Sequence, residues 1–240
     1  NGCVNTGTTS VNVNALPNVT SSSSTVCPTG TGNLTASGAS TYTWSTGATT
    51  TSISAAPAST TVYTVVGTDV NGCISAGTAT ITVNNVLVVT GGSNSPVCVG
   101  TTLTLSTTIG VSWSWTGPNG FTSAVQNPSI TNVTAAATGT YSLTATDQFG
   151  CFGSATVTVT INPLPTPVAG SNSPICVNQN LSLTSNGGTG YSWSGPNTFS
   201  STQQNPGITG VTGAATGIYT VTVSDANSCV NTATVSVTIN

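Results

Sequence analysis

Seven cysteines and three aspartates are the side chains of this 240-residue sequence with chemistry to offer. The cysteines are regularly spaced, form no C-x-x-C pair and have no histidine to join them, so they point to disulfides rather than zinc. Disulfides imply an oxidising compartment. The expected structural set is Cys27, Cys73, Cys98, Cys151, Cys176 and Cys229, with Cys3 left over. Asp69, Asp147 and Asp225 stand in D-V-N-G-C, D-Q-F-G-C and D-A-N-S-C. Calcium is the chemistry such aspartates suggest, but one carboxylate per site is thin for an ion that takes about six to eight oxygens. The expectation is instead an Asp that opens a hairpin turn and accepts its backbone N–H groups. No metal and no cofactor is expected.

The tryptophans are the other candidates. Trp44, Trp115 and Trp193 could stack on sugars, as in a polysaccharide-binding module. Each lies 17 residues after a cysteine, at Cys27, Cys98 and Cys176, and that fixed spacing favours a core Trp of a β-sandwich over a binding loop. Tyr63, Tyr141 and Tyr219 are expected to pack beside them. Phe121 and Phe199, in a Gly-Pro-Asn loop, are the better candidates for contact with a neighbouring repeat or strand.

The rest of the composition excludes most function classes. The chain has no Lys, Arg, His, Met or Glu. Nucleic-acid binding depends on basic side chains that neutralise phosphates, and an anionic membrane surface makes the same demand. General acid–base catalysis needs a titratable group near the working pH, and the three Asp lie 78 residues apart, one per repeat. No enzyme activity is expected. Intramolecular Lys–Asn isopeptide bonds are impossible without Lys. No apolar run approaches the roughly 20 residues of a membrane-spanning helix. Four glycosylation sequons, at Asn18, Asn33, Asn132 and Asn180, are uninformative in a sequence this rich in Asn and Thr.

Strands and turns must position these residues, because Thr is roughly a fifth of the chain and Val, Ser, Gly and Asn supply most of the remainder. Three units superpose by their punctuation. In each, a Cys is followed by an aromatic pair (Tyr42 and Trp44, Trp113 and Trp115, Tyr191 and Trp193), then a Tyr ten residues before a second Cys, with an Asp four residues before that Cys. The first unit is shorter because it lacks the segment Gly117-Pro118-Asn119-Gly120-Phe121. Alternation such as A-T-V-T-V-T-I over 155–161 reads as strands, and six or seven of them in under 80 residues suggest a two-sheet sandwich.

Repeats span 17–85, 86–163 and 164–240. Residues 1–16 repeat the pattern of 71–85 and are expected to be the closing strand of a preceding repeat, in a polypeptide that continues as an array at both ends. A core this small is marginal by itself, so the disulfides are expected to make each unit viable. Two pairings are open. Within a repeat, Cys27–Cys73, Cys98–Cys151 and Cys176–Cys229 would each complete a unit, and this is the favoured scheme. Across repeats, Cys27–Cys151 and Cys98–Cys229 are permitted if the first turn of one domain faces the hairpin of the next.

The run Y-S-W-S-G-P-N-T-F-S-S-T-Q-Q-N-P-G-I at 191–208, followed by A-T-G-I-Y-T-V-T-V-S-D-A-N-S-C at 215–229, resembles the immunoglobulin-like and PKD-like repeats of giant surface proteins of Bacteroidota. The resemblance covers the whole chain. It implies tandem immunoglobulin-like sandwiches in an elongated array; strands of about seven to ten residues with a linker between units give an expected rise of about 35–45 Å per repeat. It also implies export, often by the type IX route, and a place in the spacer or adhesion regions of surface and gliding adhesins. The expected role is a non-enzymatic extracellular stalk or filament. Its expected partners are neighbouring repeats of the same chain and, in a fibre, other copies. The rival expectations are a polysaccharide-binding module acting through loop aromatics, and an accessory region of a secreted enzyme.

Overall fold

A computed structural model describes residues 2–240. Among them the regular structure is strand, with three short 3-10 turns. The strands assemble tandem immunoglobulin-like sandwiches. In the first, a four-stranded sheet runs Ser24–Val26, Ile74–Val83, Thr61–Thr68, Thr41–Trp44, facing a three-stranded sheet of Thr20–Ser21, Gly32–Ser37 and Ser52–Ala55. The third repeats this plan with Ser200–Ser201, Gly190–Ser194, Gly217–Ser224 and Val230–Val237 opposite Val168–Ser171, Leu181–Asn186 and Gly207–Ile208. The middle sandwich has the sheets Thr122–Ser123, Ser112–Thr116, Gly139–Thr146, Phe152–Val159 and Ser129–Ile130, Leu103–Thr107, Gly91–Ser93. Adjacent antiparallel strands divided between two facing sheets in this order are the immunoglobulin-like arrangement.

Alternation decides which side chains face inward. Leu34, Trp44, Val65 and Ile81 are buried in the first sandwich, and Leu181, Leu183, Trp193, Tyr219, Val221 and Val223 in the third. In the middle one Trp115, Tyr141 and Leu143 are fully buried. Each large apolar side chain taken out of water contributes about 1.5–3 kcal/mol, so a handful per sandwich supplies the core. The indole N–H of each Trp donates to a loop carbonyl: Thr50 at 2.9 Å, Gln126 at 3.3 Å and Gln204 at 3.2 Å. The aromatic two residues earlier clamps a turn, as Tyr42 Oη does on Ala39 O at 2.9 Å, Trp113 Nε1 on Ile109 O at 2.8 Å and Tyr191 Oη on Gly188 O at 2.8 Å.

By its contacts the chain divides into two compact units. One holds the residues up to Val89 with Ile109–Trp113 and Thr144–Ser154; the other holds Thr90–Thr108, Ser114–Leu143 and Ala155–Asn240. The division passes through the middle sandwich, whose Asp147 hairpin groups with the first.

The closing strand expected over 1–16 does not form. Residues 2–19 carry no strand, and Val4, Val11 and Val13 are 83–88% exposed. Asn1 lies outside the described residues. The closing position of the first sandwich is filled by Ile74–Val83, paired on both sides, so residues 2–16 are not a strand of that sandwich.

Candidate functional site

The feature that repeats with the most chemistry is a hairpin facing a strand end. Each hairpin is built on its Asp. The Oδ1 atom of Asp147 accepts from the backbone N–H groups of Phe149 at 2.8 Å and Cys151 at 2.9 Å. Asp69 does the same for Asn71 and Cys73, both at 2.8 Å, and Asp225 for Asn227 and Cys229, both at 2.9 Å. The Asp N–H closes the turn on the Cys carbonyl at 2.8–3.0 Å. The residue before the Cys must adopt a left-handed backbone, which Gly72 and Gly150 take freely at φ 80° and 83° and Ser228 takes at 64°. With Oδ1 committed to two N–H groups, each Asp acts as the keystone of a turn. Among the described residues no three His, Cys, Asp or Glu side chains gather as metal ligands would.

The strand end comes from a parallel pairing. Ser24–Val26 lies parallel to the closing strand, with Val26 opposite Val83, and Asn84 N–H donates to Val26 O at 2.8 Å. Cys27 therefore leaves at the end of the sandwich where the chain exits. Val97–Cys98 pairs with Ile161–Asn162 in the same way, with Asn162 opposite Cys98. Ile175 bridges Ile239, also in parallel. Cys27, Cys98 and Cys176 thus occupy equivalent places at the far end of three closing strands.

This geometry corrects the favoured disulfide scheme. The bonds are Cys27–Cys151 and Cys98–Cys229, with Cα–Cα separations of 5.3 and 5.6 Å, and Cys3, Cys73 and Cys176 are free. An intradomain bond is excluded by strand length. Cys73 precedes the ten-residue strand Ile74–Val83 while Cys27 sits at its other end. Ten extended residues span about 33 Å, whereas a disulfide requires Cα atoms within about 7 Å. The first Cys of one repeat bonds instead to the hairpin Cys of the next.

Further contacts seat the hairpin. Asn84 Nδ2, at the end of the closing strand, donates to Asp147 Oδ2 at 2.7 Å. Gly153, two residues after Cys151, lies so close to the Leu87 carbonyl that a Cβ there would overlap it. At the equivalent place in the next repeat, Asn231 Nδ2 donates to Pro165 O at 3.0 Å. The bonded hairpin cysteines are sealed, Cys151 being 2% and Cys229 1% exposed. Cys73 is partly exposed, and Cys176 and Cys3 are exposed.

The remaining candidates have internal roles. Trp44, Trp115 and Trp193 are at most 2% exposed, so none presents a face to a sugar. Phe121 and Phe199, expected as contact aromatics, pack edge-on against Tyr141 and Tyr219 of their own sandwiches, with ring centroids 5.5 Å apart. Gly117 and Gly195 lie against the same Tyr rings with no room for a Cβ. The Gly-Pro-Asn segment is thus a lid on the tyrosine, whose hydroxyl donates to Ala137 O at 3.0 Å or Ala215 O at 3.1 Å. Burial pushes both phenols above their usual pKa. Sequence reasoning passed over Asn84 and the Q-N-P motif. In that motif Gln126 and Gln204 donate to Thr107 O and Ser185 O, and the Asn127 and Asn205 side chains accept from the backbone N–H groups of those same residues. The recurrence of Q-N-P at 126–128 and 204–206 was the available signal.

No protein-family model and no curated protein sequence matches this chain. Among solved structures it is similar to three N-terminal domains of the Highly Immunogenic Outer Capsid protein of bacteriophage RB49, at 12% identity over 94% of this chain and 99% of that one, TM-score 0.44. It is also similar to a 1.5-MDa bacterial ice-binding adhesin, at 16% identity over 94% and 98%, TM-score 0.44. A third is immunoglobulin domains 1–5 of Sidekick-1, at 12% identity over 93% and 58%, TM-score 0.39. The fold is read from this chain's own strand order, and no activity or partner follows from these likenesses.

Proposed function

We propose that this chain is a length of a secreted, non-enzymatic spacer, a stalk or filament whose mechanism is the fixed geometry of its joints. The observation that carries the reading is the direction of the two disulfides, each joining the exit end of one repeat to the hairpin of the next. A bond placed there closes no loop inside a single sandwich and does little for one repeat alone. It locks a joint, and a locked joint matters to a protein that holds something at a distance. The bonds also favour an oxidising location outside the cytoplasm. A surface nearly devoid of charge, with three Asp and no basic residue, leaves little for ligands to grip.

The test is small-angle scattering of the oxidised and thiol-reduced chain, paired with a glycan array. The expected outcome is a narrow distribution of interdomain distances that broadens on reduction, with a blank array. Selective glycan binding, together with scattering that reduction does not change, would overturn the spacer reading in favour of a binding module.

A further inference from the structure

Cys73 and Cys176 are each half of a staple that the other repeats complete. Cys176 stands beside Ile239 and Asn240 as Cys98 stands beside Ile161 and Asn162, with Asn240 N–H on Ile175 O at 2.9 Å and Val177 N–H on Asn240 O at 3.1 Å. Cys73 sits on an Asp-keyed hairpin with the hydrogen bonds of the Cys151 and Cys229 hairpins. At both positions where a first-type cysteine can meet a hairpin cysteine of the following repeat, the bond is formed and the hairpin cysteine is sealed from solvent. Cys73 and Cys176, which meet no such partner among the described residues, are free, Cys73 partly exposed and Cys176 exposed.

We propose that Cys176 and Cys73 are complementary halves of a third, like-directed staple. Cys176 takes the hairpin cysteine of a repeat placed after it, and Cys73 offers its hairpin to a repeat placed before it. The occupant is a repeat of this same kind, and a second copy of this chain supplies one, joined head to tail by Cys176 of one copy and Cys73 of the other. This rests on the jointed-spacer reading. Because the two halves differ, the contact is heterologous and propagates rather than closing on a two-fold axis. The bond forms by exchange with a small disulfide such as oxidised glutathione. One cysteine thiolate attacks a glutathione sulfur and releases one glutathione thiolate. The second cysteine thiolate then attacks the protein-side sulfur of the mixed disulfide and releases the other. The two thiol protons pass to the two glutathiones formed.

The experiment uses the full chain in a glutathione redox buffer, with Cys3→Ala throughout so that the third free thiol cannot interfere. One variant adds Cys73→Ala and another Cys176→Ala; each is incubated alone and the two are mixed. The expected result is a covalent dimer in the mixture at least tenfold more abundant than in either variant alone, with peptide mapping showing Cys176 joined to Cys73. The Cys3→Ala chain with both thiols should give a ladder of longer oligomers. Dimers that form equally in the separate variants, through Cys73–Cys73 or Cys176–Cys176 bonds, would overturn the proposal, as would no dimer at all. The same map reports Cys27–Cys151 and Cys98–Cys229. If those are present while the third is not, the proposal falls alone; if they too are missing, the spacer reading falls with it.

Discussion

At the residue scale the hairpin aspartates do the most with the least. Asp147 Oδ1 holds two backbone N–H groups and Oδ2 receives Asn84. The Phe149 N–H belongs to an exposed residue and can turn to water, but the Cys151 N–H belongs to a residue that is 2% exposed. Asp147→Ala therefore leaves a donor buried without a partner and should cost about 1–3 kcal/mol, read as a lower urea midpoint. Asp147→Asn keeps Oδ1 in place and loses only the acceptor for Asn84, so its cost should be the smaller of the two. If the two substitutions cost the same, the backbone bonds do not carry the turn.

The buried phenols set a second expectation at this scale. Desolvation raises the pKa of Tyr141 and Tyr219 in the folded state, so the unfolded chain gives up these protons first as pH rises. Their contribution is whole below the ordinary tyrosine pKa of about 10 and is lost as pH climbs through the raised folded values. Unfolding midpoints should fall above about pH 10, and Tyr141→Phe with Tyr219→Phe should flatten that fall. Midpoints of the double variant that drop as steeply as those of the parent would place the alkaline weakness elsewhere.

At the element scale, the lid over the tyrosine shows how an insertion adds to a core. In the second and third repeats Gly117 and Gly195 let the backbone rest on a Tyr ring while Phe121 or Phe199 meets its edge. The first repeat lacks this segment, and its Tyr63 is 9% exposed where Tyr141 and Tyr219 are fully buried. A methyl group at Gly117 must displace either the ring or the loop, and overpacking of that kind costs about 1–3 kcal/mol. Gly117→Ala should lower the urea midpoint accordingly, whereas Gly120→Ala, where nothing lies within 4 Å but φ is 70°, should cost only the strain of a left-handed backbone. Equal costs at the two positions would mean that the Tyr contact is not what requires the glycine.

The same scale separates what the sequence reveals from what it hides. The Cys, Trp, Tyr, Asp, Cys frame marks the strands because each of these residues answers to a local demand: alternation, a turn, or a core position. The cysteine pairing answers to a demand several strands away. It depends on Ser24–Val26 running parallel to Ile74–Val83, and neither segment carries a signal for that direction. Strand length then does the excluding, but only once the direction is known. Phe121 and Phe199 misled for a related reason. An aromatic in a Gly-Pro-Asn loop looks available until the position of the tyrosine beneath it is known. Residues 1–16 read as a strand by likeness to 71–85, yet a strand also needs an edge to pair with, which their own alternation cannot supply.

At the scale of the whole molecule, the two disulfides interleave. Cys27–Cys151 and Cys98–Cys229 have sequence separations of 124 and 131 and overlap between residues 98 and 151. A single loop of that size constrains the unfolded chain by about 5 kcal/mol in the chain-entropy model; two overlapping loops constrain it by less than twice that. The mechanical consequence is larger than the thermodynamic one. In a fully unfolded, oxidised chain the shortest covalent route between the ends runs from the N-terminus to Cys27, crosses to Cys151, returns to Cys98, crosses to Cys229 and ends at Asn240. That route holds about 90 residues and can extend to about 320 Å, against about 840 Å for the reduced chain at about 3.5 Å per residue. Pulled end to end, the oxidised protein should therefore reach its limit at well under half the length of the reduced protein. Because the loops overlap, Cys27→Ser with Cys151→Ser lengthens that route only to about 110 residues and Cys98→Ser with Cys229→Ser only to about 117, so most of the hidden length should appear only when both bonds are absent. Chelation with EDTA should leave the force curve unchanged, since no metal is expected to bridge the joints. Equal extensions with and without reductant would mean that the cysteines do not join neighbouring repeats, and that tension passes through the linkers alone.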